Sequence, residues 1–260
     1  MGEYFNLISD EKELTRYFEE IMPPLESQET YFFSLSARNK YLTEEEREEL
    51  CLGRTEMFER RTLRTYDYQK FIRLIHKFEC NPAAYTTKNN SIIPSKCIIC
   101  YVNINPSNML KAYTEFNYVM QEYILELSLN ALNGRSLDDI SDRLSRIDRL
   151  LLDKIQKARG RRVWIDIDFD VPKNSPLLSE YIKELKENQI KFEVIDTHSG
   201  YHILLKRETI KYNYLKTLEV FDRIASEVGG EIKQNKNEMV PLPGTFQGGY
   251  PVRIVTEEYL

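Results

Sequence analysis

The chain has 260 residues, 42% of them hydrophobic, a formal net charge of −5 and a sequence pI of about 5.5. That length carries one large domain or two small ones around a real core, and the acidic balance argues against coating nucleic acid through overall charge. No apolar run approaches a membrane span, and the first residues, MGEYFNLISDEKEL, have neither a basic n-region nor a long apolar stretch. No signal peptide and no membrane association are therefore expected, and the expected compartment is cytoplasmic. Gly2 follows Met1, but Asn6 stands where a myristoylation motif wants Ser or Thr.

In chain order, Ser9 or Asp10 can cap a helix carrying Leu14, Tyr17, Phe18 and Ile21, which Pro23-Pro24 stops. Residues 29–41 form a β-prone run rich in Tyr and Phe. Thr43 and Glu46 make a capping box for a short acidic helix through Leu50, with Gly53 as its expected end. Residues 52–64 mix basic and apolar side chains and take no assignment. Phe71, Leu74, Ile75 and Phe78 have helical spacing. A loop then leads to the strand CIICYVNI, closed by Pro106. Residues 109–132 read as one helix or a pair, broken at Asn133-Gly134, and Ser136 with Asp139 caps a further helix whose stripe is Ile140, Leu144, Ile147, Leu151 and Ile155.

The cysteines are Cys51, Cys80, Cys97 and Cys100. His76-x3-Cys80 followed by Cys97-x2-Cys100 resembles the spacing of a zinc site. Residues three apart on a strand point to opposite faces, however, so the expectation is small buried thiols. Lys154, Lys157, Arg159, Arg161 and Arg162 form one basic cluster, and Arg60, Arg61 and Arg64 another. The first also suits a solvated helix end favoured by the macrodipole.

From Arg161 onward the pattern becomes regular. RRVWIDIDFD places Asp166, Asp168 and Asp170 at every second position, between Ile165, Ile167 and Phe169. Period two marks a half-buried strand with carboxylates lining one face, and carboxylates so arranged repel each other unless a cation sits among them. A helix (LLSEYIKELKENQ), two strands (KFEVIDT and YHILLKR) joined by a turn at His198-Ser199-Gly200, a second helix and late β-prone segments (EMVPLP, YPVRIV) follow. The order β-α-β-β-α-β is the split arrangement of ferredoxin-like and RNA-recognition-motif folds. It makes the first and third strands neighbours, which puts His202 beside Asp166 and Asp168.

Carboxylates two apart on a strand offer hard oxygen ligands for Mg²⁺ or Mn²⁺. A neighbouring histidine can donate to a phosphate, and Lys206, Arg207 or Arg253 can neutralise a triphosphate. Together they suit nucleotidyl transfer, with two metal ions clamping the attacking and leaving oxygens.

The chain here resembles the archaeo-eukaryotic primase superfamily, the primase-polymerases (prim-pols). The resemblance covers about the last hundred residues and rests on the strand Trp164-Ile165-Asp166-Ile167-Asp168, the hairpin Ser199-Gly200-Tyr201-His202 and the late segment MVPLPGTFQGGYPVRI. It implies an α+β fold, in which an RNA-recognition-motif-like (split βαβ) catalytic half at 161–260 packs against an N-terminal α/β half at 1–135 through a connecting helix at 136–160. It implies template-dependent synthesis on single-stranded or primed DNA from nucleoside triphosphates, with Asp166 and Asp168 as metal ligands and His202 on the incoming phosphates. Ser199 and Arg253 carry over as further triphosphate contacts. A helicase or a C-terminal priming domain is the partner such a core would have.

Two positions depart from the family pattern. The second motif is usually Ser-x-His, whereas Gly200 stands two before His202, so Ser199 is the substitute. The third acidic ligand has no Asp counterpart, which makes Glu231 its candidate, with Glu238 behind it; Asp170 is the alternative for completing the acidic set, and more simply an exposed strand end or turn. The loop Pro243-Gly244-Thr245 with Gly248-Gly249 permits close approach to a nucleotide or forms ordinary turns. Tyr66, Tyr68 or Tyr201 can stack on bases.

Competing expectations are a DxD metal-dependent nucleotide-sugar transferase, which needs no histidine strand, and a non-catalytic nucleic-acid-binding module of the same fold. A relaxation-type replication initiator is disfavoured, since His198 and His202 are four apart rather than an assured close pair on one strand face.

Overall fold

The computed structural model describes residues 6–79, 85–87, 89–173, 175–210, 214–236 and 238–255. Cys80, one of the expected buried thiols, lies outside them.

Asp10 caps α1 (Glu11–Arg16), its carboxylate accepting the Lys12 N–H at 2.8 Å. One wide turn, Tyr17–Ile21, then sends Tyr17, Phe18 and Ile21 into the core before the prolines. β1 (Glu29–Arg38) is followed by α2 (Glu44–Leu50), where Thr43 and Glu46 make the expected capping box. Cys51, not Gly53, ends α2 by adopting a left-handed backbone with φ 49°. The unassigned basic stretch is β2 (Thr55–Leu63), and the next elements are α3 (Tyr68–His76) and β3 (Ile98–Asn103).

Short β4 (Ser107–Asn108) leads into α4 (Met109–Leu132), a single unbroken helix. The expected connecting helix at 136–160 is two, α5 (Asp138–Leu144) and α6 (Ile147–Lys157), divided at Ser145-Arg146. Ser136 accepts from the Asp138 N–H rather than from Asp139. Ile140 and Ile155 of the stripe are buried, but Ile147, the first residue of α6 after the break, is exposed.

The remaining elements are β5 (Trp164–Asp170), α7 (Leu177–Glu187), β6 (Phe192–Asp196), β7 (Tyr201–Lys206), α8 (Tyr214–Glu227), β8 (Glu231–Gln234), β9 (Met239–Pro241), β10 (Phe246–Gln247), β11 (Tyr250–Pro251) and β12 (Arg253–Val255). The protein is α+β with antiparallel sheets. One sheet runs β2-β1-β3-β9, with β4 on β1, the second runs β12-β6-β7-β5-β8, and β10 and β11 form a small ribbon. The first and third strands of the regular region, β5 and β7, are direct antiparallel neighbours.

Parity sorts the side chains of the second sheet. Ile165, Ile167 and Phe169 join Ile203, Leu205 and Ile232 against Tyr181, Ile182 and Leu185 of α7 and Leu218 of α8. Trp164, Ile195, Leu204 and Ile254, on the other face, enter a core shared with Phe33, Leu35 and Val102 of the first sheet and with Leu14 and Phe71. Each such side chain taken from water contributes about 1.5–3 kcal/mol, so the two sheets are held by one continuous apolar layer. Sheet membership also differs from a cut at residue 161: β9 crosses back to pair with β3, Val240 opposite Val102. Asn105 clasps the start of β5, accepting the Val163 and Trp164 N–H groups, both at 2.8 Å, and donating to the Trp164 carbonyl at 2.9 Å.

Cys97 and Cys100 are buried, whereas Cys51 is exposed, contrary to the expectation for all the thiols, because it sits at the outer end of α2. Burial pushes the Cys97 thiol up to about 11, and Cys100 higher still. Among the described residues no helix is long and apolar enough to cross a membrane.

Candidate functional site

Where the apolar layer ends, the two sheets part around a cavity of about 1010 Å³. One wall is the acidic face of the second sheet. Asp168 lies between His202 on β7 and Lys233 on β8, and Asp170 lies opposite Glu231. The facing wall comes from the first sheet, where Ser34, Ser36 and Arg38 alternate with the core residues of β1, and Tyr101 and Asn103 do the same on β3. Lys40, Arg54, Lys157, Arg159 and Lys236 also reach the cavity. Carboxylates on one side and cations on the other suit a ligand with negative groups bridged by a cation.

Asp166 is set deeper than the other aspartates. Its side chain is wholly closed to solvent, and His202 Nδ1 stands 3.1 Å from each of its oxygens. Asn235 Nδ2 donates to Asp166 Oδ2 at 2.7 Å and to the Met239 carbonyl at 3.1 Å, and the Asn235 N–H donates to the Asp166 carbonyl at 2.9 Å. Burial alone would lower the His202 pKa, but the charge and hydrogen bond of Asp166, with help from Asp168 and Asp170, raise it above the usual histidine value. A protonated His202 donates Nδ1–H to Asp166 and keeps Nε2–H for a ligand.

Asp168 has no hydrogen-bond or ion-pair partner among the described residues, and it lines the cavity. Its pKa is raised, first by burial and then by Asp166 and Asp170, while His202 and Lys233 oppose the rise. A cation beside Asp168 would oppose that rise and favour the ionised carboxylate. Among the described residues no preformed group of three or more His, Cys, Asp and Glu side chains could hold a metal ion. Mg²⁺ is commonly held by one or two carboxylates, with water and phosphate oxygens completing its shell, so Asp168 with Asp170 fits that donor set.

The turn before β7 leaves no room for a side chain at position 200. Thr197 N–H and Oγ1 both bond the Gly200 carbonyl, at 3.0 and 2.9 Å. A Cβ on Gly200 would lie 2.5 Å from the Phe169 carbonyl oxygen and 3.1 Å from Asp170 Cα. Serine does not fit there. Ser199 does line the cavity, and its hydroxyl accepts from Lys40 Nζ at 3.2 Å.

Several expected residues stand elsewhere. Lys206 lies over the Trp164 ring at 4.7 Å, and Arg253 is exposed on edge strand β12 opposite Asp196; neither lines the cavity. Parity put Lys206 on the correct face of β7, but at the end covered by the first sheet. Glu231 lines the cavity and pairs with Lys233, while Glu238, at its rim, pairs with Arg162 at 2.6 Å. Gly244 packs on Asp10 and Leu14, and its carbonyl accepts from Ser9 and Asp10, so that loop anchors the N-terminal helix. Tyr66 stacks on Phe18 with centroids 4.4 Å apart, and Tyr68 bonds Thr15 at 2.6 Å.

Asn235, Lys233, Lys40 and the Ser34-Ser36-Arg38 face escape a reading by sequence alone. The alternation S-L-S-A-R was available as a signal for the last, but nothing in it names the opposing wall.

Comparison of the chain with protein-family models, with curated proteins and with solved structures returned no match.

Proposed function

We propose that the protein is a metal-dependent nucleotidyltransferase of the primase-polymerase kind, joining nucleotides on single-stranded or primed DNA, with the second sheet and α7 and α8 as an RNA-recognition-motif-like catalytic half. The observation that carries this is the cavity wall on which Asp168 and Asp170 stand, unpaired among the described residues and facing Arg38, Lys40 and Arg54 across the gap. The triphosphate would lie between these walls, bound by the cations of the first sheet, by Lys233 and by the Lys40–Ser199 pair.

Mg²⁺ or Mn²⁺ held by Asp168 with Asp170 would supply charge neutralisation at the reacting phosphate, while Asp166, which the resemblance makes the other ligand, is engaged by His202 and Asn235. The chain's own residues orient the substrate. His202, whose protonated form Asp166 favours, keeps Nδ1 on that carboxylate and offers Nε2–H to a phosphate oxygen, and Asn235 holds Asp166 in place. The Ser34, Ser36 and Asn103 face offers neutral hydrogen-bonding groups to the sugar or base.

Incubation with template, labelled nucleotides and Mg²⁺ or Mn²⁺ tests the reading. Strand synthesis that disappears in Asp168→Ala supports it; equal synthesis by both proteins removes the site. A second reading, a non-catalytic nucleic-acid-binding module, is favoured by the complete internal pairing of Asp166. It predicts template binding without incorporation and no effect of Asp168→Ala on that binding.

A further inference from the structure

A second groove, of about 530 Å³, opens at the outer edge of the first sheet, between β2, α3 and α6. Arg60 and Arg61 of β2 and Lys70, Arg73 and Lys77 at α3 line it, and among the described residues no acidic side chain does. Lys70, Arg73 and Lys77 follow the spacing i, i+3, i+7, which puts them on one helical face. The opposite face carries Phe71 and Ile75 into the core.

Neutralisation within the groove is incomplete. Arg60 pairs with Asp153 and Arg61 with Glu59, at 2.8 Å in the latter case. Lys70 Nζ is 4.0 Å from Asp67, and Arg73 and Lys77 have no ion pair among the described residues. The helix dipole accounts for cations in the last turn of α3, but it disfavours Lys70 in the first turn, two residues after Tyr68. A patch of cations in a chain of net charge −5 persists against its own repulsion, and a polyanion relieves it.

The surroundings narrow the polyanion to a nucleic-acid strand. Thr55 and Met57 of β2 line the central cavity, and Arg60 to Leu63 of the same strand line the groove. At about 3.3 Å per residue the step from Met57 to Arg60 is roughly 10 Å, so the two sites are consecutive along one edge strand. Leu152, half-buried between the cations, with the edge of buried Leu74 beneath it, provides apolar surface for sugars and bases, which a site for phosphate alone would not need.

We infer that this groove binds the sugar-phosphate backbone of single-stranded nucleic acid, continuing the path of a strand that leaves the cavity along β2. The direction of that path rests on the nucleotidyl-transfer reading; the affinity of the groove for a strand does not.

The test uses the full chain with Lys70→Gln, Arg73→Gln and Lys77→Gln combined, all at exposed positions, and fluorescence anisotropy of a labelled oligothymidylate across a salt series. Affinity at about 50 mM salt is expected to fall about tenfold or more, and the slope of log K against log salt to become shallower by about 2, from three contacts at about 0.7 each. The charge-conserving variant Lys70→Arg, Arg73→Lys, Lys77→Arg should restore both. Unchanged affinity and slope in the glutamine variant, or no oligonucleotide binding by the wild type, overturns the inference. Wild-type protein that incorporates no nucleotide but binds the strand through these cations retains the groove and loses the nucleotidyl-transfer reading. Incorporation with groove-independent binding does the reverse.

Discussion

Replacing Asp166 with alanine removes the acceptor on which two neighbouring side chains depend. His202 Nδ1 lies 3.1 Å from each carboxylate oxygen and Asn235 Nδ2 lies 2.7 Å from one, with the Asp166 side chain fully buried and only 13% of the His202 side chain exposed. Hydrogen bonds to a charged group contribute about 1.5–3 kcal/mol each, and breaking a buried pair by deleting one partner costs about 3–5 kcal/mol. The expected loss is in that range. For a chain of this size it lowers Tm by roughly 6–20 °C, at about 2–4 °C per kcal/mol. The raised pKa of His202 gives the loss a pH signature. A histidine whose folded pKa is raised contributes stability that is fully present below its unfolded value of about 6.5 and is lost as pH rises through the folded value. The gap between wild type and Asp166→Ala should thus be wider at acid than at alkaline pH. Urea denaturation at pH values on both sides of that transition measures it. Equal stability of the two proteins, or a gap that widens with pH, would refute the pairing of Asp166 with His202.

Asp168→Asn should have the opposite sign in metal-free buffer at neutral pH, raising stability by about 0.5–1 kcal/mol as the cost of burying an ionised carboxylate, and its repulsion by Asp166 and Asp170 along the same strand, are relieved, while abolishing the strand synthesis we propose. Because the folded pKa of Asp168 is raised, its proton-linked contribution is present below the unfolded value of 3.8 and lost as pH rises through the folded one, so wild type and variant should converge in acid. Thermal melts with EDTA check this, and a destabilised variant would contradict it. Gly200→Ala should cost about 1–3 kcal/mol by overpacking, since its Cβ would meet the Phe169 carbonyl oxygen at 2.5 Å, whereas Gly53→Ala meets nothing within 4 Å and serves as the neutral control. Denaturant midpoints that coincide for the two variants would remove the proposed close approach.

The acidic strand was legible because alternation of Ile165, Asp166, Ile167, Asp168 and Phe169 admits only one assignment of faces. The strand order then placed His202 across from Asp168, as the register has it. The capping box of Thr43 and Glu46 was equally legible, being a local bond between a side chain and its own first turn. The division at Ser145-Arg146 was not: the apolar stripe continues across it, and only packing of α6 on α4 reveals the bend. Asn235 was invisible for a different reason. A polar residue following a four-residue strand has no periodic signature, and its role comes from the carboxylate it meets.

What the sequence by itself determined, then, is which side chains share a face, because backbone geometry alternates them whatever else happens. What only the tertiary structure decided is how deep each lies and what stands opposite. Asp166 and Asp168 are equivalent in the alternation, yet Asp166 is sealed against His202 and Asn235 while Asp168 faces the cavity. Lys206 shares their face but stands half-buried over the Trp164 ring, at the end of β7 where the apolar layer between the sheets replaces the cavity. Depth is a property of two surfaces meeting, and the chain writes each surface in a separate place.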